Sequence, residues 1–373
     1  MQQQRTRPPL FVKRWEKKIV RDKKTIALLA PLVFIFISAC TPPMPPDVLA
    51  AIAEQEVTCI PGDVKVGVDI ATTPLIQSAV DLYRTSCELS TVTLVQDALE
   101  ADIVIFDNSD ARLPICSTNV AAVPFVVEGA GIALNYSGAT SLNLDANVLS
   151  KIYAGQVTDW ADPAIAALNP ESELVPLPIV LMGMPTSNNS ITAFNQWMKN
   201  LGESNFEVKV TQPAETTEKL VEAFTNTDGA LGIFPAGFIT ENALTVGSMV
   251  VPEGSAVYDI ETISSAGTQL KTELTGDTLK VSLDPSVKVS TAEGTSQVNV
   301  PWQAISWLNL AICKTDDVNM GARAFARFLL RQDAQGQFTV LGFVPLEESL
   351  RLDAAGIIGK TLPTPAGLAT PAE

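Results

Sequence analysis

The sequence predicts an α/β protein arranged as two lobes, and three observations lead there. At 373 residues the chain is long enough for two domains of ordinary size. A buried strand that runs into polar residues and then a helix occurs twice, in separate parts of the chain. Between the two junctions lies an extended apolar run, Val123–Tyr136 (VPFVVEGAGIALNY), broken by Gly129 and Gly131. We read that run as a crossover between lobes.

The first junction begins at Val64–Asp69, which alternates toward a buried strand and is followed by Thr72-Thr73-Pro74. Proline in the first helical turn gives up an N–H that has no partner there, so a threonine just before it is expected to cap the helix. Leu75, Ile76, Ala79, Val80, Leu82 and Tyr83 then form the i, i+3, i+4 stripe of a helix packed on a sheet. Thr91–Gln96 reads as a neighbouring strand. Ala101–Phe106 is a second buried strand, running into Asp107-Asn108-Ser109-Asp110. Polar residues at the end of a parallel strand are where open α/β sheets bind ligands.

Beyond the crossover, Asp145 is placed to cap a helix carrying Val148, Leu149, Ile152 and Tyr153, and Gly155 to end it. The second junction is the strand Pro176–Met182, the polar run Pro185-Thr186-Ser187-Asn188-Asn189-Ser190, and a helix with Phe194, Trp197 and Met198. Residues 240–300 alternate only weakly and read as strands and loops. Ala304–Cys313 is apolar enough to return the chain to the first lobe. Thr315, Asp316 or Asp317 is expected to cap the next helix, with Phe325, Phe328 and Leu329 on one face and Arg323, Arg327 and Arg331 on a solvated one. Residues 361–373, rich in proline and small residues, read as a disordered tail.

Composition narrows the function. With no histidine, the chain cannot build a Ser-His-Asp or Cys-His machine or a histidine-ligated metal site. A formal charge of −16 argues against nucleic acid, whose phosphates are met by basic patches. No nucleophile–base pair or phosphate-cradling loop is visible, and Gly294–Val298 (GTSQV) lacks the second glycine of a nucleophile elbow. The chain is not expected to be an enzyme, nor to need a cofactor or metal.

The charge is unevenly placed. Residues 1–39 hold nine basic and two acidic groups, a net of +7, so the remainder carries −23. A basic head before the apolar run Thr25–Ala39 is the layout of an export signal, and the run is too short to span a bilayer. Ile37-Ser38-Ala39-Cys40 resembles the lipobox of bacterial lipoproteins, in which the cysteine receives lipid; an uncleaved anchor with Cys40 as an ordinary thiol is the alternative. The prolines of Thr41–Pro46 suit an extended tether. Cys59, Cys87, Cys116 and Cys313 remain, an even set that allows three pairings in an oxidising compartment. Cys59 and Cys87 each precede a strand, and if those strands are parallel neighbours both lie at one sheet edge. Cys59–Cys87 is therefore the preferred bridge, and Cys116–Cys313 follows by elimination. A zinc site is the weaker rival, for want of a CxxC pair.

Leu142–Pro170, LNLDANVLSKIYAGQVTDWADPAIAALNP, resembles the segment after the lobe crossover in the phosphate-binding proteins of bacterial Pst-type importers. Four further stretches resemble that family in order: Ala71–Leu75, Ser109–Leu113, Gly229–Ile233 and Leu341–Leu346. The resemblance implies a two-lobed type II periplasmic-binding-protein fold with a hinge, 58–125 plus 305–360 forming one lobe and 126–304 the other. The basic head, apolar run and lipobox-like motif give a signal peptide at 1–39, a tether at 40–57 and a lipid anchor. Together with them, the resemblance implies an extracytoplasmic, lipid-anchored, monomeric solute-binding protein that delivers phosphate or a related oxyanion to the permease subunits of an ABC importer. A surface lipoprotein that keeps the fold as a sensor or interaction module is the alternative.

Carried over by position, the resemblance makes Thr72 a ligand threonine and Asp110 the carboxylate that accepts a proton from bound phosphate. It sets Asn188, Asn189 and Ser190 where the family has S-G-T. Unpaired N–H groups at a helix start hold oxyanions without a basic side chain, and Thr73, Ser109 and Ser187 would add neutral donors. The family's arginine and aspartate before S-G-T are replaced here by Gly183 or Met184 and by Thr186, and its serine-rich second loop has no match between Leu89 and Ala101.

Overall fold

The computed structural model describes residues 57–69, 72–107, 119–183, 189–210, 212–213, 216–284, 300–313 and 319–360. The chain begins with β1 (Gly62–Gly67), α1 (Thr73–Ser86), β2 (Ser90–Val95), β3 (Ile103–Asp107) and the 17-residue β4 (Asn119–Asn135). β1 lies between β2 and β3, parallel to both, in the register Gly62↔Ser90 and Val66↔Ile103. That register brings the strand starts together, and Cys59 and Cys87, one before each strand, are joined with Cα atoms 5.3 Å apart. Cys313 is also in a disulfide, and its partner lies outside the described residues.

The middle of the chain supplies β5 (Asn143–Asp145), α2 (Ala146–Tyr153), α3 (Pro163–Leu168), β6 (Val180–Gly183), α4 (Asn189–Asn200), β7 (Gln212–Pro213), α5 (Thr217–Asn226), β8 (Ala230–Pro235) and α6 (Ala236–Glu241). Asp145 accepts from Val148 N at 2.6 Å and so caps α2, while Gly155 (φ +70°) leads the chain away from its end. Asn169 is buried and brackets Asn143 from both sides, donating to its carbonyl at 2.9 Å and accepting from its N–H at 2.8 Å. Trp160 stacks on Tyr136 at 5.1 Å and donates through Nε1 to the Gly229 carbonyl at 3.0 Å. Gly229 has φ +92°, and a Cβ there would sit 2.3 Å from the Pro178 carbonyl oxygen. Only glycine fits.

The last third contains β9 (Thr245–Val246), β10 (Ser248–Val251), β11 (Gly254–Ala256), α7 (Ile260–Gly267), β12 (Leu270–Thr275), β13 (Thr278–Leu283), β14 (Ile305–Cys313), α8 (Met320–Leu329), α9 (Gln332–Val340), β15 (Val344–Pro345) and α10 (Glu348–Gly359). β14 runs antiparallel between β3 and β4. β4 then changes partner: it pairs with β14 as far as Gly129, and from Ala130 to Asn135 it pairs with β8. The continuous order is β2-β1-β3-β14-β4-β8-β6-β7. One long strand thus carries the chain from the strands that begin the fold to those that follow the crossover.

Helices cover the first set of strands. Tyr83 of α1 packs edge-on to Phe325 and tilted against Phe328 of α8, with ring centroids 5.2 and 5.0 Å away. Each such fully buried side chain contributes roughly 1.5–3 kcal/mol. Three expectations are corrected here. The cap of α8 is Asn319, which accepts from Ala322 N at 3.2 Å; Thr315, Asp316 and Asp317 lie outside the described residues. The arginine row is not a solvated face: α10 covers its first two members, with Arg323 buried and donating to Ile358 O at 3.0 Å and Arg327 half-buried under Gly359, while Arg331 pairs with Asp333 at 3.1 Å. Residues 240–300 include a helix, α7, which the weak alternation did not announce; Asp259 and Thr262 close a capping box at its start.

Two measurements check these packing arguments. Gly229→Ala is expected to lower stability by about 2–4 kcal/mol in urea unfolding, from left-handed backbone strain and the clash with Pro178 O. Replacing Cys59 and Cys87 together by serine releases a loop with a sequence separation of 28. The loss expected is about 3–4 kcal/mol, read as a lower urea midpoint with an intact Cys313 bridge.

Candidate functional site

The start of α1 is organised by a carboxylate. Asp69, directly after β1, accepts from both the N–H and the hydroxyl of Thr72, each at 2.8 Å, through one oxygen. Its carbonyl accepts from the Thr73 hydroxyl at 2.7 Å. The threonine expected to cap the helix stands at the N-cap position but donates to Asp69 instead of accepting, so no side-chain cap bond is made to the helix. Thr72 is buried by this arrangement, while Asp69 stays exposed.

α4 starts the same way. Asn189 is its first residue and half-buried, and Ser190 is buried. The Ser190 hydroxyl donates to Oε2 of Glu128 at 3.0 Å. Glu128 stands on β4 one residue before Gly129, where the strand changes partner. Its partner directly across on β14 is Ser306, also buried, so the two side chains share a face of the sheet. Tyr258 closes the other flank: its ring lies where a side chain on Gly129 or Gly131 would stand, and its hydroxyl approaches the Gly129 carbonyl at 3.4 Å. Trp302 meets the Tyr258 ring edge-on at 5.1 Å and donates to Ala130 O at 2.7 Å. The glycines that break the crossover run thus make room for an aromatic ring.

The electrostatics follow from position. Glu128 is partly open to solvent yet ringed by protein, and this desolvation pushes its carboxyl up to about 7. The Ser190 hydrogen bond pulls the other way, and the negative charge of Asp69 adds to the rise. No lysine or arginine of the described residues is among the groups that move it. Burial, helped by the charge on Glu128, keeps the Tyr258 phenol neutral far above the ordinary range. Asp69 and Glu128 therefore sense one another, and the start of α4 bonds the β4 strand through Ser190 and Glu128.

Of the residues singled out from sequence, Thr72 bonds to Asp69 after β1 and Ser190 bonds to Glu128 on β4. Thr73 and Asn189 adjoin them on the same helix starts. Ser109, Asp110, Ser187 and Asn188, together with Cys40 and Cys116, lie outside the described residues. Asp69 and Glu128 were missed. The signal for Glu128 was on the page, since it is the one charged residue in Val123–Tyr136. Among the described residues no group of three Cys, Asp or Glu gathers to hold a metal ion, and no helix is long and apolar enough to cross a membrane.

A model of the PBP superfamily domain (PBP_like_2) matches residues 91–333. Phosphate-binding protein PstS 3 of Mycobacterium tuberculosis is 28% identical over 170 residues, 43% of this chain and 45% of that protein. Phosphate-binding protein PstS 2 of the same species is 24% identical over 254 residues, 65% of this chain and 67% of that protein. The chain thus spans under half the length of the first of these relatives. A high-affinity periplasmic phosphate-binding protein solved with phosphate bound is 14% identical, covers 78% of this chain and 92% of its own, and superposes with a TM-score of 0.53. A protein of Clostridium perfringens assigned as a phosphate ABC transporter substrate-binding protein gives 12% identity, 77% and 100% coverage, and a TM-score of 0.51. The fold is the two-lobed α/β one of such binding proteins.

The raised carboxyl makes a stability prediction with a definite sign. Between its ordinary 4.5 and about 7, the folded chain keeps the Glu128 proton that the unfolded chain has lost. Stability is therefore lost as pH rises through that window and is level above it. Glu128→Gln is expected to gain on the order of 3 kcal/mol over the parent at pH 8 and almost nothing at pH 4.5, measured by urea unfolding across pH.

Proposed function

The chain belongs to the PBP superfamily, and on that premise we propose that it is an extracytoplasmic solute-binding protein whose cleft takes phosphate or a related oxyanion for an ABC importer. The observation that carries the reading is the buried Ser190 at the start of α4, whose hydroxyl donates to Glu128 on β4, beside a second helix start whose Thr72 donates to Asp69, a charge that Glu128 feels. Helix starts supply N–H donors and the positive end of a dipole, which together hold an oxyanion without a cationic side chain. The similarity to phosphate-binding relatives supports phosphate as the occupant.

In this reading the ligand set is Thr72, Thr73, Ser109, Asp110, Ser187, Asn188, Asn189 and Ser190. Thr72 and Ser190 exchange their bonds to the carboxylates for bonds to the ligand. The carboxylate of Asp110 in this set favours an anion that still carries a proton, since it donates where sulfate only repels. Lipid on Cys40 and the proline-rich tether hold the two-lobed part at the membrane surface, beside the permease subunits. The protein performs no chemistry on its ligand.

One observation favours the alternative, a sensor or interaction module that does not transport. Both hydroxyls already donate to carboxylates of the chain itself, and the position of the family's arginine is held by Gly183 or Met184. Losing one charge-assisted hydrogen bond costs roughly 1.5–3 kcal/mol, about ten- to a hundredfold in affinity. Isothermal titration of the purified full chain at pH 6.5 with phosphate, arsenate, sulfate and molybdate separates the readings. Binding of phosphate and arsenate, with sulfate at least tenfold weaker, is the result expected of the importer. Absence of heat with all four points to the sensor.

A further inference from the structure

Glu128 is an unusual residue to find at the base of an anion site. It is a carboxylate on the strand that forms the floor, and no cation of the described residues offsets it. β14 brings Ser306 to it, α4 brings Ser190, α7 brings the apolar Ile263 against the adjacent Gly129, and β15 pairs with Val126 and Val127 just before it. Among the described residues, the charged or titratable groups that act on it are Asp69 and Tyr258. Its one hydrogen bond among the described residues is the one accepted from Ser190, at one of its two oxygens. A serine hydroxyl has a single proton to donate, so Ser190 serves either Glu128 or a bound anion.

We propose that Glu128 sets which charge state the cleft accepts: protonated, it gives its O–H to a ligand oxygen and leaves the Ser190 hydroxyl to the same ligand, whereas ionised it holds Ser190 and repels a dianion. This rests on the reading of the cleft as a phosphate site. The step is a plain proton balance. Below neutrality Glu128 already carries its proton and the anion enters as it is. Above neutrality each phosphate bound draws one proton from solvent onto Glu128, and no covalent bond forms or breaks. The geometry supports the exchange, because Glu128 is reachable from solvent while its carboxyl sits in a surrounding that resists charge, a position poised to change state near neutral pH.

The test is isothermal titration of the full-length chain with inorganic phosphate from pH 5.5 to 8.5, each point run in two buffers of different ionisation enthalpy. Parent, Glu128→Gln and Glu128→Asp are compared. Phosphate itself titrates in this range, and its contribution is common to all three proteins, so the differences between them isolate residue 128. In the parent, affinity is expected to fall about tenfold further per pH unit above 7 than in Glu128→Gln, with uptake of about one proton. Glutamine offers a donor at every pH, so that variant is expected to bind at least tenfold tighter than the parent at pH 8.5, with no proton taken up by the protein. Glu128→Asp keeps a titrating carboxyl and so keeps a pH slope. Parallel profiles and equal proton uptake in parent and Glu128→Gln overturn the proposal and leave the phosphate reading standing. If none of the three proteins gives heat at any pH, the phosphate reading falls and takes the proposal with it.

Discussion

Strand β4 pairs with β14 up to Gly129 and with β8 from Ala130 onward, and the geometry of the cleft follows from that exchange of partners. A strand in a sheet is held on both sides by hydrogen bonds, so the point where it trades one set of neighbours for another is where two groups of strands can diverge while the backbone stays paired. Ala130 N keeps a partner in Ala304 O, and the Ala130 carbonyl keeps one in Trp302. Both backbone groups of Ala130 are thus paired at the junction. Glu128, just before it, is in register with Ser306 of β14, and its side chain accepts from Ser190 at the start of α4.

The part of the sequence most recognisable as a family signature turns out to be structural. In Leu142–Pro170 the aspartates cap α2 and α3, Gly155 reverses the chain, Asn169 brackets Asn143, and Trp160 reaches the Gly229 carbonyl. Each of those residues performs a task that few other types can, so the pattern is narrow and easily read. The same logic explains the Gly229–Ile233 turn, whose glycine stands against the Pro178 carbonyl. The strands and helices of the first lobe were legible for a simpler reason, since period-2 and period-3.6 apolar patterns report burial on one face.

The site was harder to read because its residues act through geometry that crosses the chain. Thr72 stands at the N-cap as its place before Pro74 suggests; only its distance to Asp69 reveals that its hydroxyl donates there instead of accepting from the helix. Glu128 and Ser190 are 62 positions apart, and no local pattern announces their pairing. The arginines of α8 misled for a related reason. Their i+4 spacing is that of a solvated stripe, yet α10 folds over Arg323 and Arg327, and Arg323 and Arg351 each donate to a helix-end carbonyl, Ile358 O and Leu330 O. Long basic side chains are then used as internal struts for helix ends, which removes them from any role with an anion.

An anion cleft floored by carboxylates looks self-defeating, and magnitudes decide whether it is. A bound dianion beside an ionised Glu128 would meet repulsion in a partly desolvated setting, where charges interact far more strongly than in water. A neutral Glu128 reverses the sign of that interaction, because a carboxylic acid donates where a carboxylate accepts. With burial holding the carboxyl near 7, the cost of keeping the proton at neutral pH is close to nothing, while the gain is a neutral donor beside Ser190. A hydrogen bond of this kind is weaker than a guanidinium's, and it comes with a dependence on pH that arginine, always charged, does not have. A protonated carboxyl beside an anion therefore trades strength for responsiveness, and the raised Glu128 carboxyl is the feature that makes such a trade physically workable.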